Sequence, residues 1–120
     1  MDKNVTLHDI KEQARKYCEP RDWDQFHSPK DLAIGMSTEA SELLELFRFK
    51  SSAEIDAFFT DTHKKGEIED ELADVLYFVA RFAQKYHIDL STALARKMIK
   101  NKKKYPVSKA KGSNKKYTEL

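Results

Sequence analysis

The apolar residues of this chain recur every three or four positions in five separate stretches, which is the spacing of one face of an α-helix. No stretch alternates apolar and polar residues as a half-buried strand does, and three Gly and three Pro are too few for the tight turns of a many-stranded sheet. At 120 residues, the chain is long enough for one domain with a buried core and hardly long enough for two. We therefore predict an all-α fold, a bundle of four to five helices.

Side chains that accept hydrogen bonds from free helix N–H groups set the predicted helix starts. Thr6, Ser28 and Asp89 stand at such positions, and Pro29 takes the first helical position after Ser28, where an N–H is not needed. The predicted helices cover residues 7–18, 29–49, 53–59, 67–86 and 90–104, with a turn at 60–66.

Positive charge is concentrated near the C-terminus. Residues 96–120 hold ten of the 22 Lys and Arg residues but one of the 20 Asp and Glu residues, so the rest of the chain is acidic. Because Pro106 ends the last helix, we expect one helical domain over residues 1–106 and a basic tail over 107–120. Such a segment can bind nucleic acid, or it can bind phosphates that a metal ion holds over the acidic body.

Several classes of protein are excluded by the sequence. No apolar run approaches the ~18 residues that span a bilayer, and the first five residues, Met-Asp-Lys-Asn-Val, lack the apolar core of a signal peptide. Cys18 is the only cysteine, which excludes an internal disulfide and a cysteine-rich zinc site. We expect a protein of a reducing, cytoplasmic compartment with no membrane partner.

The second helix places an acid in the middle of its apolar face. At 100° per residue, Leu32 and Leu46 lie within about 20° of Glu39, and Glu42 lies about 60° away at the edge of the face. Taken alone, a Glu-x-x-Glu pair is typical of a solvated helix surface.

The fourth helix repeats this arrangement. Phe78 and Phe82 lie within about 20° of Glu71, and Asp74 lies about 60° away at the edge. Because acids are so seldom buried without a partner, two copies favour a functional site over two solvated surfaces.

Four acids that face one interior need a compensating charge. An ionised carboxylate in a core costs several kcal/mol, and two carboxylates ~4 Å apart repel by about 4 kcal/mol at an effective dielectric constant of 20. A hard divalent cation with oxygen ligands supplies that charge. Since no His or Cys accompanies these acids, Mg²⁺ or Mn²⁺ is favoured over zinc. A di-iron bundle would require Glu-x-x-His pairs, which the sequence lacks.

Two further groups of residues can contact a ligand. Lys97, Asn101 and Tyr105 share one face of the fifth helix and can bind phosphate oxygens, although cations are also common where they complement a helix dipole. Trp23 and His27 lie in the loop before the second helix, where a flat aromatic can stack on a base or simply fill the core.

The sequence resembles the MazG-like all-α nucleoside triphosphate pyrophosphatases. Glu39-Ala-Ser-Glu42-Leu-Leu-Glu45 is followed about 30 residues later by Glu71-Leu-Ala-Asp74-Val-Leu, which is the paired acid motif of that family. Arg21-Asp22-Trp23-Asp24-Gln25-Phe26-His27, His87-Ile88-Asp89-Leu90, Asn101-Lys102-Lys103-Lys104-Tyr105-Pro106 and the closing Lys116-Tyr117-Thr118-Glu119-Leu120 are similar to its dCTP pyrophosphatase branch. The resemblance covers nearly the whole chain.

The resemblance implies a reaction and a set of residues. It implies hydrolysis of a nucleoside triphosphate between its α- and β-phosphates, with dCTP or a modified cytidine triphosphate as substrate and cleansing of the nucleotide pool as the role. The four acids Glu39, Glu42, Glu71 and Asp74 would bind Mg²⁺, and we choose Glu39 as the general base of the reaction. Trp23, His27 and Phe49 would lie near the nucleotide base. Lys97, Asn101 and Tyr105 would lie near phosphate or sugar. Phe49 stands where the branch often has Trp, so it can stack but lacks the indole N–H.

The resemblance also implies an oligomeric state, and two alternative functions stay open. The family forms dimers or dimers of dimers, and the matching Lys116-Tyr117 segment suggests that the tail closes over an active site, which makes nucleic acid a less favoured partner. The alternatives are a broad-specificity house-cleaning pyrophosphatase and a non-enzymatic bundle that binds nucleic acid or a partner protein through residues 96–120.

Overall fold

The computed structural model describes residues 1–120 and contains six α-helices and no strand, which confirms the predicted all-α class. The helices are α1 (Leu7–Cys18), α2 (Pro29–Glu45), α3 (Ser52–Phe58), α4 (Thr62–Lys85), α5 (Leu90–Lys104) and α6 (Val107–Ala110). Short 3-10 turns cover Glu19–Arg21, Asp24–Phe26 and Tyr117–Glu119. No helix among them has the length and apolar character that a membrane span requires.

The three predicted capping residues begin their helices. Thr6 Oγ1 accepts from the N–H of Asp9, whose carboxylate accepts from the N–H of Thr6 in return, so two free donors are satisfied. Ser28 Oγ accepts from the N–H of Asp31 at 3.1 Å, and Asp89 Oδ1 accepts from the N–H of Thr92 at 2.8 Å. The predicted starts of α1, α2 and α5 are confirmed.

The predicted end of α2 at Phe49 is wrong, because the helix ends at Glu45. The next three N–H groups bond three residues back instead of four, which tightens the chain into turns. Phe49 then adopts a left-handed backbone with φ 61°, which no α-helix can contain.

The predicted turn at 60–66 is also wrong for most of its length, since α4 begins at Thr62. Asp61 Oδ1 accepts from the N–H groups of His63 and Lys64, and this cap starts the helix before Gly66. A single helical glycine costs only about 1 kcal/mol, which the cap and the packing of α4 offset.

Residues Met1–His87 form one compact unit in which α1 and α2 both pack along α4. Its core contains Ala14, Cys18, Leu32, Ile68, Ala80 and Ala83. Gly35 of α2 lies so close to α4 that a Cβ there would lie 2.3 Å from Cε1 of Phe78. Glycine therefore allows α2 and α4 to approach each other closely at this point.

Residues Ile88–Leu120 form a second compact unit. Within it, the ring of Tyr117 meets the ring of Tyr105 edge to face at 5.9 Å, and the Lys104 ammonium lies 4.8 Å from the Tyr117 centroid. The predicted tail thus contains the short helix α6, and Tyr117 near its end contacts Tyr105 and Lys104. The predicted limits of the helical domain and the tail, 1–106 and 107–120, stay a prediction.

Candidate metal centre and adjoining cleft

Three of the four predicted acids meet where α2 packs against α4. One carboxylate oxygen from each of Glu39, Glu42 and Glu71 lies within 4.8 Å of the other two. Glu39 and Glu42 come from α2 and Glu71 from α4, so the cluster requires the close helix contact that Gly35 permits.

Two of these acids carry oxygens that nothing in the protein satisfies. Oε2 of Glu39 and Oε2 of Glu71 are buried and accept no hydrogen bond. Burial, together with the carboxylate of Glu42, raises the pKa of Glu39 to about 7, and burial and Glu42 also raise the pKa of Glu71. An unsatisfied buried acceptor costs roughly 1–3 kcal/mol, so this arrangement is unfavourable unless a cation binds there.

Asp74 lies on the open side of this cluster. Its side chain is exposed and, with Glu39, lines a cleft of about 570 Å³ in the first unit. The charge of Asp74 adds to the rise in the pKa of Glu39, which places it near the three clustered acids. The predicted set of four therefore divides into three acids in mutual contact and a fourth at the mouth of the cleft.

The donor set fits a hard divalent cation. It consists of carboxylate oxygens alone, and two of the three residues, Glu39 on α2 and Glu71 on α4, each have a buried oxygen without a partner. Glu39, Glu42 and Glu71 would hold such an ion, with Asp74 next to it. Mg²⁺ and Mn²⁺ both prefer ligands of this kind.

The cleft beside the acids has aromatic walls. Its lining includes Tyr17 of α1, Trp23 of the loop between α1 and α2, and Tyr77 and Phe78 of α4. The rings of Tyr17 and Trp23 meet edge to face at 5.4 Å, and Tyr17 meets Tyr77 in the same way at 5.8 Å. Such a cleft can enclose a flat ligand whose charged end reaches the acids.

His27 is not among the residues that line the cleft, but its ring neighbours that of Trp23, with the ring centroids 6.1 Å apart. Its Nδ1 accepts a hydrogen bond from Nε of Arg81 at 2.9 Å, so the imidazole is neutral and its proton is on Nε2. Burial, together with the charges of Arg81 and Lys85, lowers the pKa of His27. His27 therefore offers an N–H donor at neutral pH.

Arg81 is a residue of this region that the sequence analysis missed. Its side chain is 1% exposed, and its guanidinium donates to His27, to Gln84 Oε1 at 2.6 Å and to Asp24 Oδ1. One signal was available: Arg81 follows Asp74 by seven residues, which places it within about 20° of Asp74 on the helix surface.

The remaining predicted binding residues are not among those that line the cleft. Phe49 is 89% exposed, and its left-handed backbone is an outlier for a bulky residue, which is more common at functional positions than elsewhere. Lys97, Asn101 and Tyr105 lie on or directly after α5 in the second unit. The binding roles of these four residues stay predictions.

The chain is similar in sequence to a protein family and to curated relatives, and similar in structure to a solved protein. Residues 34–120 match the MazG-like family. The dCTP pyrophosphatase 1 of Rattus norvegicus is 38% identical over 115 residues, which are 96% of this chain and 68% of that protein. The Homo sapiens dCTP pyrophosphatase 1 is 36% identical with the same coverage. A crystal structure of a pyrophosphatase from Archaeoglobus fulgidus DSM 4304 has a TM-score of 0.76 and 37% identity, over 83% of this chain and 92% of that one.

Proposed function

Because the chain belongs to the MazG-like family and is a nucleoside triphosphate pyrophosphatase, we propose that it cleaves the bond between the α- and β-phosphates and requires Mg²⁺. The products are a nucleoside monophosphate and pyrophosphate. The observation that carries the proposal is the pair of buried, unpartnered oxygens of Glu39 and Glu71, since such oxygens need a cation. Bound there, Mg²⁺ would neutralise phosphate charge and make a nearby water more acidic.

Glu39 is the best placed general base. Glu39 lines the cleft, so it can accept the proton of a water that attacks the phosphate. Glu42, Glu71 and Asp74 hold the metal together with Glu39 and keep the phosphates oriented.

The cleft supplies the site for the base. Trp23 and Tyr17 offer faces and edges on which a base can pack, and stacking of this kind contributes about 1–3 kcal/mol per base. The Nε2–H of His27 offers a donor to a base edge that carries acceptors, such as that of cytosine. With the substrate named for the relatives in rat and man, this favours dCTP or a modified cytidine triphosphate.

The remaining roles extend the same proposal. Lys97, Asn101 and Tyr105 contact phosphate or sugar, and Phe49 contributes a further stacking surface. The active form is a homodimer or homotetramer, with the basic tail closing over an active site. The enzyme then removes unwanted cytidine triphosphates from the cytoplasmic nucleotide pool.

A nucleotide panel tests the proposal. Ribo- and deoxynucleoside triphosphates, including 5-methyl and oxidised forms, are assayed for pyrophosphate release with Mg²⁺ and with EDTA. We expect dCTP-type substrates to have the highest kcat/KM, and Glu42→Ala and Glu71→Ala to abolish release. Glu69→Ala is the matched control, because Glu69 lies on α4 but is exposed and pairs with Lys65 at 3.7 Å.

Other outcomes would change the conclusion in defined ways. A purine substrate at the top of the panel would contradict the cytidine preference, and similar rates for all bases would indicate a broad-specificity enzyme. If no nucleotide is hydrolysed and residues 96–120 bind nucleic acid with a steep dependence on salt, the binding alternative is correct.

A further inference from the structure

A buried guanidinium lies outside the acid cluster and holds a loop of the first unit. Arg81 is 1% exposed, yet its one carboxylate partner, Asp24, has a side chain that is 59% exposed. An Arg buried in this way costs free energy that an apolar side chain of similar volume would not cost. Stability alone therefore does not explain an Arg at this position of α4.

Each hydrogen bond that the guanidinium makes outside its own helix goes to the loop that joins α1 to α2, residues 19–28. It donates to the carboxylate of Asp24 and to Nδ1 of His27, which are separated from it by 57 and 54 residues in the sequence. Lys85 and Tyr86 add to this anchor by donating to the carbonyl of His27 at 2.7 and 2.9 Å.

One residue of the loop has a left-handed backbone. Asp22 has φ 55° directly after the turn Glu19–Arg21, and Gln25 Nε2 donates to its carbonyl at 3.0 Å. Asp tolerates this conformation better than most residues, so the local turn is supported within the loop itself. Trp23, the next residue, is the part of the loop that lines the cleft.

We propose that Arg81 is a positioning residue for the nucleotide base: it fixes Trp23 on the cleft wall and holds His27 as the neutral tautomer with its proton on Nε2. The inference rests on the proposed function in that the ligand of the cleft is a nucleotide. The two hydrogen bonds of Arg81 have different effects. The bond to Asp24 positions the loop, and the bond to Nδ1 of His27 determines that Nε2 of the imidazole is the nitrogen that can donate.

The test combines a measurement that needs no substrate with one that does. In ¹⁵N-labelled protein, NMR of the imidazole nitrogens reports whether Nδ1 or Nε2 of His27 carries the proton. We expect Nε2 alone in the native protein and a mixture of tautomers in Arg81→Met. Tryptophan emission should shift to longer wavelength in Arg81→Met, because Trp23 is the only tryptophan and would be less firmly held.

Kinetics separate positioning from a general loss of folding. In Arg81→Met we expect KM for the preferred triphosphate to rise roughly 10- to 100-fold, the equivalent of losing a hydrogen bond to a charged group, with kcat changed less than about threefold. Arg81→Lys should restore part of the affinity but leave the tautomers mixed, since one ammonium lacks the planar fork that reaches both partners.

Two comparison variants complete the design. Lys85→Met loosens the loop without touching the imidazole, so KM should rise while Nε2 stays protonated. Arg15→Met removes an Arg that bonds only Glu12 and Glu19, on α1 and directly after it, and should change neither readout.

The proposal is overturned if Nδ1 carries the proton in the native protein, or if Arg81→Met keeps KM within about twofold of the native value. Should no nucleotide be hydrolysed at all, the proposed function is wrong. The tautomer and the Trp23 emission would still decide whether Arg81 positions the loop, since neither depends on substrate.

Discussion

Neutralising Glu39 is expected to stabilise the metal-free protein and, at the same time, to weaken its response to Mg²⁺. Oxygens of Glu39, Glu42 and Glu71 lie within 4.8 Å of one another, and two unit charges at that distance repel by about 3.5 kcal/mol at an effective dielectric constant of 20. Glu39→Gln removes two of the three pairwise repulsions, and the amide that replaces the carboxylate can donate to a neighbour.

The size of the effect is limited by how strongly the fold resists ionising Glu39. Its pKa is raised from 4.5 to about 7, and each unit corresponds to about 1.4 kcal/mol. Because the site is partly open to water, which screens the charges, we expect a gain of about 1–3 kcal/mol at pH 8. For a chain of this length, that is a rise of roughly 4–12 °C in Tm.

Calorimetry in EDTA and in excess Mg²⁺ measures both halves of the prediction. Mg²⁺ should raise the Tm of the native protein by binding the folded state, and this rise should be much smaller in Glu39→Gln. Glu69→Gln, an exposed change on the same helix, should match the native protein within about 0.5 kcal/mol in both conditions. A lower metal-free Tm in Glu39→Gln, or an undiminished response to Mg²⁺, would refute the reasoning.

Three further predictions concern the helix contact, the acid cluster and the cleft. Gly35→Ala should lower the free energy of unfolding by about 1–3 kcal/mol in urea titrations, because the new Cβ would overlap Phe78; a loss below about 0.5 kcal/mol would contradict the close helix contact. In EDTA, the free energy of unfolding should fall as pH rises from about 4.5 to about 7, because folded Glu39 and Glu71 bind protons that the unfolded chain has released, and Mg²⁺ should remove most of that fall. A metal-free stability that rises across this range would be the opposite result. Trp23→Ala should raise KM for the triphosphate about tenfold, with kcat nearly unchanged, and equal KM values would exclude stacking on Trp23.

The helix starts could be predicted from the sequence because each depends on one side chain and an N–H two or three residues away. Thr6, Ser28 and Asp89 needed no knowledge of the rest of the fold. The predicted start of α4 at residue 67 is wrong because the side chain of Asp61, inside the segment interpreted as a turn, caps the helix and starts it at Thr62. The predicted end of α2 is wrong because no residue type in 46–49 indicates the left-handed backbone that Phe49 adopts.

At the site, too, local features could be predicted from the sequence and features that depend on distant residues could not. Glu39 and Glu71 could be identified because an acid among apolar residues at helical spacing is unusual whatever the tertiary structure. The spacing of Arg81 from Asp74 puts both on one side of α4, but it does not predict that Arg81 is buried, because a basic residue at the edge of an apolar face ordinarily extends to water. Its burial is produced by a loop that lies more than fifty residues away in the sequence, which periodicity does not reveal.

The residues of α4 explain how these parts act together. Glu71, Asp74, Tyr77, Arg81 and Lys85 lie within a sector of about 120° on the helix surface, and about 21 Å of its length separates the first from the last. In order, they provide the acid cluster, the mouth of the cleft, its aromatic wall and the anchor of the loop. Because a packed helix is stiff, the distance between the acids and the loop anchor is fixed along α4 itself. The nucleotide that we propose as ligand would then be selected by whether its charged end and its flat end fit that distance at once. Trp23 can meet this requirement only while the loop is fastened to α4, which is the physical reason for a buried Arg at position 81.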